Sequence, residues 1–344
     1  MKTGIAYSGV KDVDHVRKDM EELAAGGYTH VLHPYSEEDF LYHQETMKEI
    51  IAISKECGLQ VYVSTWGVGK VFSGEALSEL SAGNSVQSQV DNRGEKMVAS
   101  CINNETFRTY MRSWVEAVCE TEADTILWDN PRFYIQEEED RWCCRCDTCQ
   151  KIFRKQTRHL MPNGLTESVE SFRKGTIVEF LSEITGLAHV KGKRNSVCFD
   201  VKNEKGGYGF LDEIADLPTI DELGLKPYWK RGDRPADISK SYHHYSKELL
   251  AVTKEHHKEA QIWVKNFSIA KNNEESVAEA TYAAYNEGVR NIFSWSFKGS
   301  KCLSALRSDD VKTVHKIQSD AFSECQEKAL MNQMIDTMKN LNTQ

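Results

Sequence analysis

The chain has 344 residues, 40% apolar and 28% charged, with 43 basic against 52 acidic side chains. That length suits one large α/β barrel or two ordinary domains. A formal charge of -9 without an arginine-rich stripe gives no electrostatic reason to bind nucleic acid or an anionic membrane. No apolar stretch approaches the roughly 20 residues that span a bilayer, and MKTGIAYSGV runs straight into a strand-like segment, so the expected location is the cytosol. In that reducing compartment, clustered cysteines point to metal binding before disulfides.

Thr3 to Ser8 reads as a first strand. Val13 to Ala25, with Val13, Val16, Met20 and Leu23 on one face, reads as an amphipathic helix ended by Gly26 and Gly27. A strand THVLHPY, a helix from about Glu37 to Cys57 and a strand QVYVSTW follow. The alternation then breaks for a Gly/Ser/Asn/Gln-rich insertion, about Gly67 to Ser100, of a length that loops usually reach for functional reasons. A helix from about Glu105 to Glu120 leads to a short apolar strand starting at Asp124, with Asp129 and Asn130 at its C-terminal end. Beyond the CCRCDTC stretch come a helix from Ser168 to His189, a strand NSVCFDV and the segment DELGLKPYW. A helix near Ala236 to His257, a strand QIWVKNF, a helix Glu274 to Glu287 and a strand NIFSWSF complete the alternation, and Asp309 to Leu341 is helical by pattern.

Polar residues close nearly every strand, and no G-x-G-x-x-G follows the first. This predicts an α/β chain folded as a (β/α)8 TIM barrel with a Cys-rich, zinc-binding insertion after strand 4; an open doubly wound sheet is the runner-up. The expected catalytic domain is 1–320, with insertions at about 67–100 and 131–167, and 321–344 is a C-terminal helical extension.

Cys143, Cys144, Cys146 and Cys149 share one loop, and thiolates at this spacing converge on a tetrahedral Zn²⁺. Adjacent Cys143 and Cys144 seldom both reach one ion, so a further ligand is needed, and Cys101, at the start of a helix, is the best candidate. A closed site of Cys101, Cys144, Cys146 and Cys149 would be structural, tying the loop after strand 4 to the loop after strand 3. Unliganded surface thiols are the plainer alternative.

The same residues resemble the zinc knot of the family-42 glycoside hydrolases. That β-galactosidase family has a TIM barrel with one Cys just before a helix and a later C-x-C-x-x-C followed by a helix with Phe. Here Cys101 precedes NNETFR, and Cys144, Cys146 and Cys149 precede QKIFRK. The resemblance covers about Cys101 to Arg154 and implies a zinc-stapled barrel with a sugar-directed activity. The chain departs from the family at both catalytic glutamates. Asn130 is followed by Pro131 where the family has its acid/base Glu, and IWVKNF holds no carboxylate where the family has its nucleophile.

Asp129 is therefore the leading acid/base candidate, with orienting or capping as its alternative role. Glycoside hydrolysis needs a second carboxyl. Asp200, closing strand 5, would sit beside it; Glu37 or Asp39 would face it. His33, Tyr35, Trp66, Asn130, Lys202, Lys226, Tyr228, Trp229, Asn266 and Trp295 make up the expected substrate-binding set, with rings for stacking on a sugar and polar groups for its hydroxyls or a carboxylate. A Trp in an apolar strand is more often core, and His33 also reads as a satisfied core histidine. Lys202, Lys226 and Lys265 at strand ends suggest a locally cationic pocket and an anionic substrate. A desolvated Lys226 also suits a Schiff-base lyase or aldolase. The resulting expectation is a glycoside hydrolase acting on a small, anionic carbohydrate, with structural zinc, no nucleic-acid or membrane partner and a homo-oligomer as an option. The alternatives are the Lys226 lyase and a non-catalytic sugar-binding barrel.

Overall fold

A computed structural model gives the fold and describes residues 1–8, 10–83, 87–134, 140–201 and 207–341. The strands β1 (Lys2–Ala6), β2 (His30–Pro34), β3 (Gln60–Ser64), β4 (Thr125–Asp129), β5 (Arg194–Asp200), β6 (Glu222–Lys226), β7 (Glu259–Lys265) and β8 (Asn291–Trp295) close into a barrel in sequential order. The registered pairs are parallel, so this is the (β/α)8 barrel that the alternation predicts, and the open sheet is excluded.

The longer helices, those above five residues, are α1 (Val13–Ala25), α2 (Glu37–Tyr42), α3 (Gln44–Glu56), α4 (Glu105–Cys119), α5 (Asp147–Thr157), α6 (Glu167–Val190), α7 (Pro235–Glu255), α8 (Ser276–Glu287) and α9 (Val311–Leu341). Local chemistry sets several ends. Asp12 caps α1 by accepting from the His15 N–H at 2.9 Å, and Gly27, at φ 81°, follows its last turn. The single helix expected from Glu37 to Cys57 is two. Ser36 and Asp39 form a capping box that starts α2, and His43, at φ -131°, leaves the helical region before α3 begins. Within the insertion after β3, Ser88–Val90 and Lys96–Ser100 form an antiparallel hairpin, with Asp91 Oδ1 accepting from the N–H groups of Arg93 and Glu95.

The chain divides into two compact units. In the unit of Pro34–Ile51 and Tyr62–Leu223, the register reveals which side chains face the barrel interior. Tyr62, Thr125 and Arg194 are aligned across β3, β4 and β5. The Tyr62 hydroxyl lies 2.8 and 2.9 Å from the two oxygens of the fully buried Glu222 carboxylate, and Arg194 Nη2 donates to it at 3.1 Å. A carboxylate removed from water needs such partners, and these fix Tyr62 and Arg194 as inward-facing. Side chains alternate along a strand, so Leu127 and Asp129 on β4, and Ser196, Cys198 and Asp200 on β5, share that face.

In the other unit, Met1–His33, Ala52–Val61 and the chain from Gly224 onward, Gly4, Phe293 and Trp263 are aligned across β1, β8 and β7. A Cβ on Gly4 would stand 2.4 Å from the Phe293 ring, so glycine leaves the space that this ring fills. Lys265 and Trp295, in register two residues on, share the face of Phe293. Among the described residues no helix is long and apolar enough to cross a membrane.

Candidate active site and metal centre

Four sulfurs converge where the sequence spacing places them. Cys101, Cys144, Cys146 and Cys149 have Sγ atoms all within 4.8 Å of one another. Cys101 lies 3.4 Å from Cys149 and 3.5 Å from Cys146. Ligands about 2.3 Å from a tetrahedral Zn²⁺ stand about 3.8 Å apart, so the set fits such an ion. Hydrogen bonds from Cys101, then Cys144 and Cys149, hold Cys146 well below the usual thiol range, while Cys144 and Cys146 push Cys101 up. A divalent cation would let thiols this close ionise together. Cys146 and Cys149 occupy the N-cap and first turn of α5, where the helix dipole favours thiolate, and Asn103 Nδ2 donates to Cys149 Sγ at 3.3 Å.

Cys143 stands apart from this set. It is buried, bridges to Asp91 and offers its carbonyl to Arg173 Nε at 2.7 Å. The knot therefore joins the hairpin side of the β3–β4 insertion to the loop after β4. The Arg141 guanidinium, ion-paired with Asp91 and Glu95, reinforces the junction.

Beside the knot, β4 and β5 present the two candidate carboxylates. Asp129 is aligned with Cys198, and Asp200 lies two residues farther along the same face. Neighbouring strands about 4.8 Å apart and two residues spanning about 6.6 Å give a Cα separation of about 8 Å. Both are partly exposed, as reacting groups must be. Asn130 turns the chain out of the strand at φ 52°, a conformation Asn tolerates, and its N–H donates to Cys198 O at 2.7 Å. Asn130 Nδ2 donates to Ser73 Oγ at 3.2 Å, and the Ser73 N–H donates to Asp129 O at 2.9 Å. The insertion thus stitches down the end of β4.

Arg132 is the residue that sequence reasoning missed. Its Nη1 donates to Ser73 Oγ at 2.5 Å and Asn130 O at 3.2 Å. Burial lowers its pKa, and Asp129 and Asp200 both oppose that, so its charge lies within electrostatic reach of the two carboxylates. Its sequence signal was an arginine two residues beyond a strand-end Asp-Asn pair. The other acids near β2 are already engaged. Glu37 accepts from Gly69 N–H at 2.7 Å, Ser78 Oγ at 2.6 Å and Leu80 N–H at 2.9 Å, while Asp39 belongs to the capping box.

The expected binding residues divide. His33 is one residue out of phase with the inward face carried by His30 and Gly4; it is buried against Ser54 Oγ at 2.8 Å and held neutral, its pKa lowered to about 3 by burial. The plainer reading of His33, a satisfied core histidine, matches this placement. Tyr35 is likewise buried, edge-on to Trp114. Trp66 donates to Glu75 at 3.0 Å. Lys226 is 8% exposed and lies on the Glu222 face of β6. Lys265 Nζ donates to Trp229 O at 2.9 Å and lies over the Trp229 and Phe267 rings. Tyr228 packs edge-on to Phe267, and Trp295 is partly exposed. Asn266 is fully buried, with no hydrogen-bond partner for either side-chain polar atom among the described residues. Lys202 lies outside the described residues.

No family model matches the chain, and no curated protein matches it in sequence. Its fold is similar to solved barrels. The endo-1,4-beta-mannanase from Rhizomucor miehei is 11% identical at a TM-score of 0.60, with 94% of this chain and 95% of that chain covered. GH5_18 from Streptomyces cattleya, in complex with GlcNAc, is 14% identical at a TM-score of 0.58, covering 94% of this chain and 80% of that one. A D-allulose 3-epimerase from Methylomonas sp. is 11% identical at a TM-score of 0.51, covering 94% and 98%. At such identities the likeness establishes the barrel, which hosts many chemistries.

Proposed function

We propose that the protein hydrolyses a glycosidic bond, with Asp129 as acid/base, Asp200 as the second carboxyl and a structural zinc held by Cys101, Cys144, Cys146 and Cys149. The observation that carries this is the pair itself: two carboxylates on one inward-facing register at the C-terminal ends of adjacent barrel strands, where TIM-barrel enzymes place their chemistry. A Cα separation of about 8 Å brings the carboxyls into the range, about 5 to 9.5 Å, that glycosidases use. The zinc's part is to pin the loop that follows β4, so that Asp129, Asn130 and Arg132 keep their places. The family-42 spacing of the cysteines and the mannanase-like fold support a carbohydrate substrate.

Asp129→Asn keeps the shape and removes the ionisable group, so hydrolysis of an aryl glycoside should fall by about 100-fold or more while binding persists. Turnover surviving that substitution sinks the assignment. The low exposure and inward register of Lys226 favour a second reading, a Schiff-base lyase. Borohydride trapping of a sugar adduct on Lys226 would replace the hydrolase with it.

A further inference from the structure

A cleft of about 460 Å³ has in its lining Arg132, on which Asp129 and Asp200 both act electrostatically. Its buried floor is apolar and aromatic: Phe133, Ile177 and Phe210. Two guanidiniums line it, Arg132 and Arg173. Arg173 donates through Nε to Cys143 O, and its plane carbon lies 5.1 Å from the centre of the Phe133 ring. Arg132 uses Nη1 for Ser73 and Asn130. Among the described residues neither forms an ion pair with a carboxylate, and each has N–H donors beyond those used for Ser73, Asn130 and Cys143. A half-buried cation is commonly paired with a carboxylate.

The acids lining the cleft form no ion pair with either guanidinium among the described residues, and Glu170 acts on Arg173 only from a distance. Glu167, Glu170 and Glu213 are solvent-exposed at the rim, and Glu213 is already paired with Lys174 Nζ at 2.6 Å. Exposed rim charges are screened within about 8 to 10 Å, whereas charges on a partly dry floor are not. The cleft thus sets two guanidiniums beside aromatic rings.

We infer that this cleft is a subsite for an oxyanion carried by the sugar substrate, held by the forks of Arg132 and Arg173 with Phe133 and Phe210 against the sugar. A guanidinium fork matches a carboxylate or a phosphate ester in two parallel hydrogen bonds, which a lysine does not. The cationic recognition that the sequence places on Lys202, Lys226 and Lys265 falls instead to two arginines. This deepens, and rests on, the reading of the site as carbohydrate-directed.

Calorimetric titration of the full-length protein with D-glucuronate, D-glucose 6-phosphate and D-glucose tests it. One of the two anionic sugars should bind about tenfold or more tighter than glucose, since hydrogen bonds to charged groups are the strong ones. Which of the two binds tells carboxylate from phosphate ester. Added salt should weaken the preference, and Arg173→Met should erase it. Because Arg173 also holds the Cys143 carbonyl, Arg173→Lys keeps the test readable: it retains the charge, loses the fork and should show a reduced preference. Equal or absent binding of the three sugars, or a preference unchanged in Arg173→Met, overturns the subsite. Repeating the titrations on Asp129→Asn separates the two claims, because a lost preference there refutes the subsite while only lost hydrolysis bears on the reaction.

Discussion

Removing the metal from the cysteine knot should cost a defined amount of stability. Cys101 and Cys149 are 48 residues apart in sequence, and their sulfurs meet at 3.4 Å. A cross-link closing a loop of that length constrains the unfolded chain by about 4 kcal/mol in the chain-entropy treatment. At about 2.1 cal/mol/K per residue, unfolding a chain of this length carries an entropy of about 0.7 kcal/mol/K, so the loss lowers the melting temperature by about 6 °C. The assay is differential scanning calorimetry of the purified protein before and after chelation, beside metal analysis that should return about one zinc per chain. Cys101→Ser removes the one sulfur of the four that precedes α4 and should reproduce the chelated melt. Cys143→Ser should keep the metal, because Cys143 lies outside the four-sulfur set. A metal-free protein, or a melt unmoved by both chelation and Cys101→Ser, refutes the reasoning.

Arg194→Met leaves the buried Glu222 carboxylate with one fewer charged partner and should destabilise the barrel by about 2 to 3 kcal/mol in urea unfolding. Gly4→Ala pushes a methyl into the Phe293 ring and should cost about 1 to 3 kcal/mol, with Phe293→Leu recovering part of the loss in the double variant. His33 has a folded-state pKa of about 3 against 6.5 when unfolded. The unfolded chain therefore takes up a proton that the folded chain refuses, and stability present above pH 6.5 is lost as pH falls toward 3. From pH 6.5 to 5 the loss from this one residue is about 1.5 kcal/mol, and His33→Gln should flatten that part of the stability profile.

The barrel was legible because strand and helix periods alternate and polar residues end the strands. The knot was legible because cysteine spacing is itself a geometric constraint, and the reasoning that one of Cys143 and Cys144 must stand aside matches the four sulfurs that cluster. What the chain order hides is who faces whom. His33 and Tyr35 sit one pleat away from the interior face, a parity set by barrel register and invisible in HPYS. Glu37 looked available but is consumed by Gly69, Ser78 and Leu80, partners 32 to 43 residues away in the insertion. Arg132 and Arg173 acquire their significance only from long-range neighbours, Ser73 and Cys143. The break at His43 was missed because the apolar spacing of α2 and α3 runs on across it.

The most direct test of the central claim is the release of aglycone from a panel of aryl glycosides by the wild-type protein, Asp129→Asn and Asp200→Asn, with folding verified by calorimetry. The account predicts hydrolysis of at least one glycoside by the wild type and a drop of about 100-fold or more in each variant. Wild-type protein inert toward every glycoside, or variants as fast as the wild type, would contradict it.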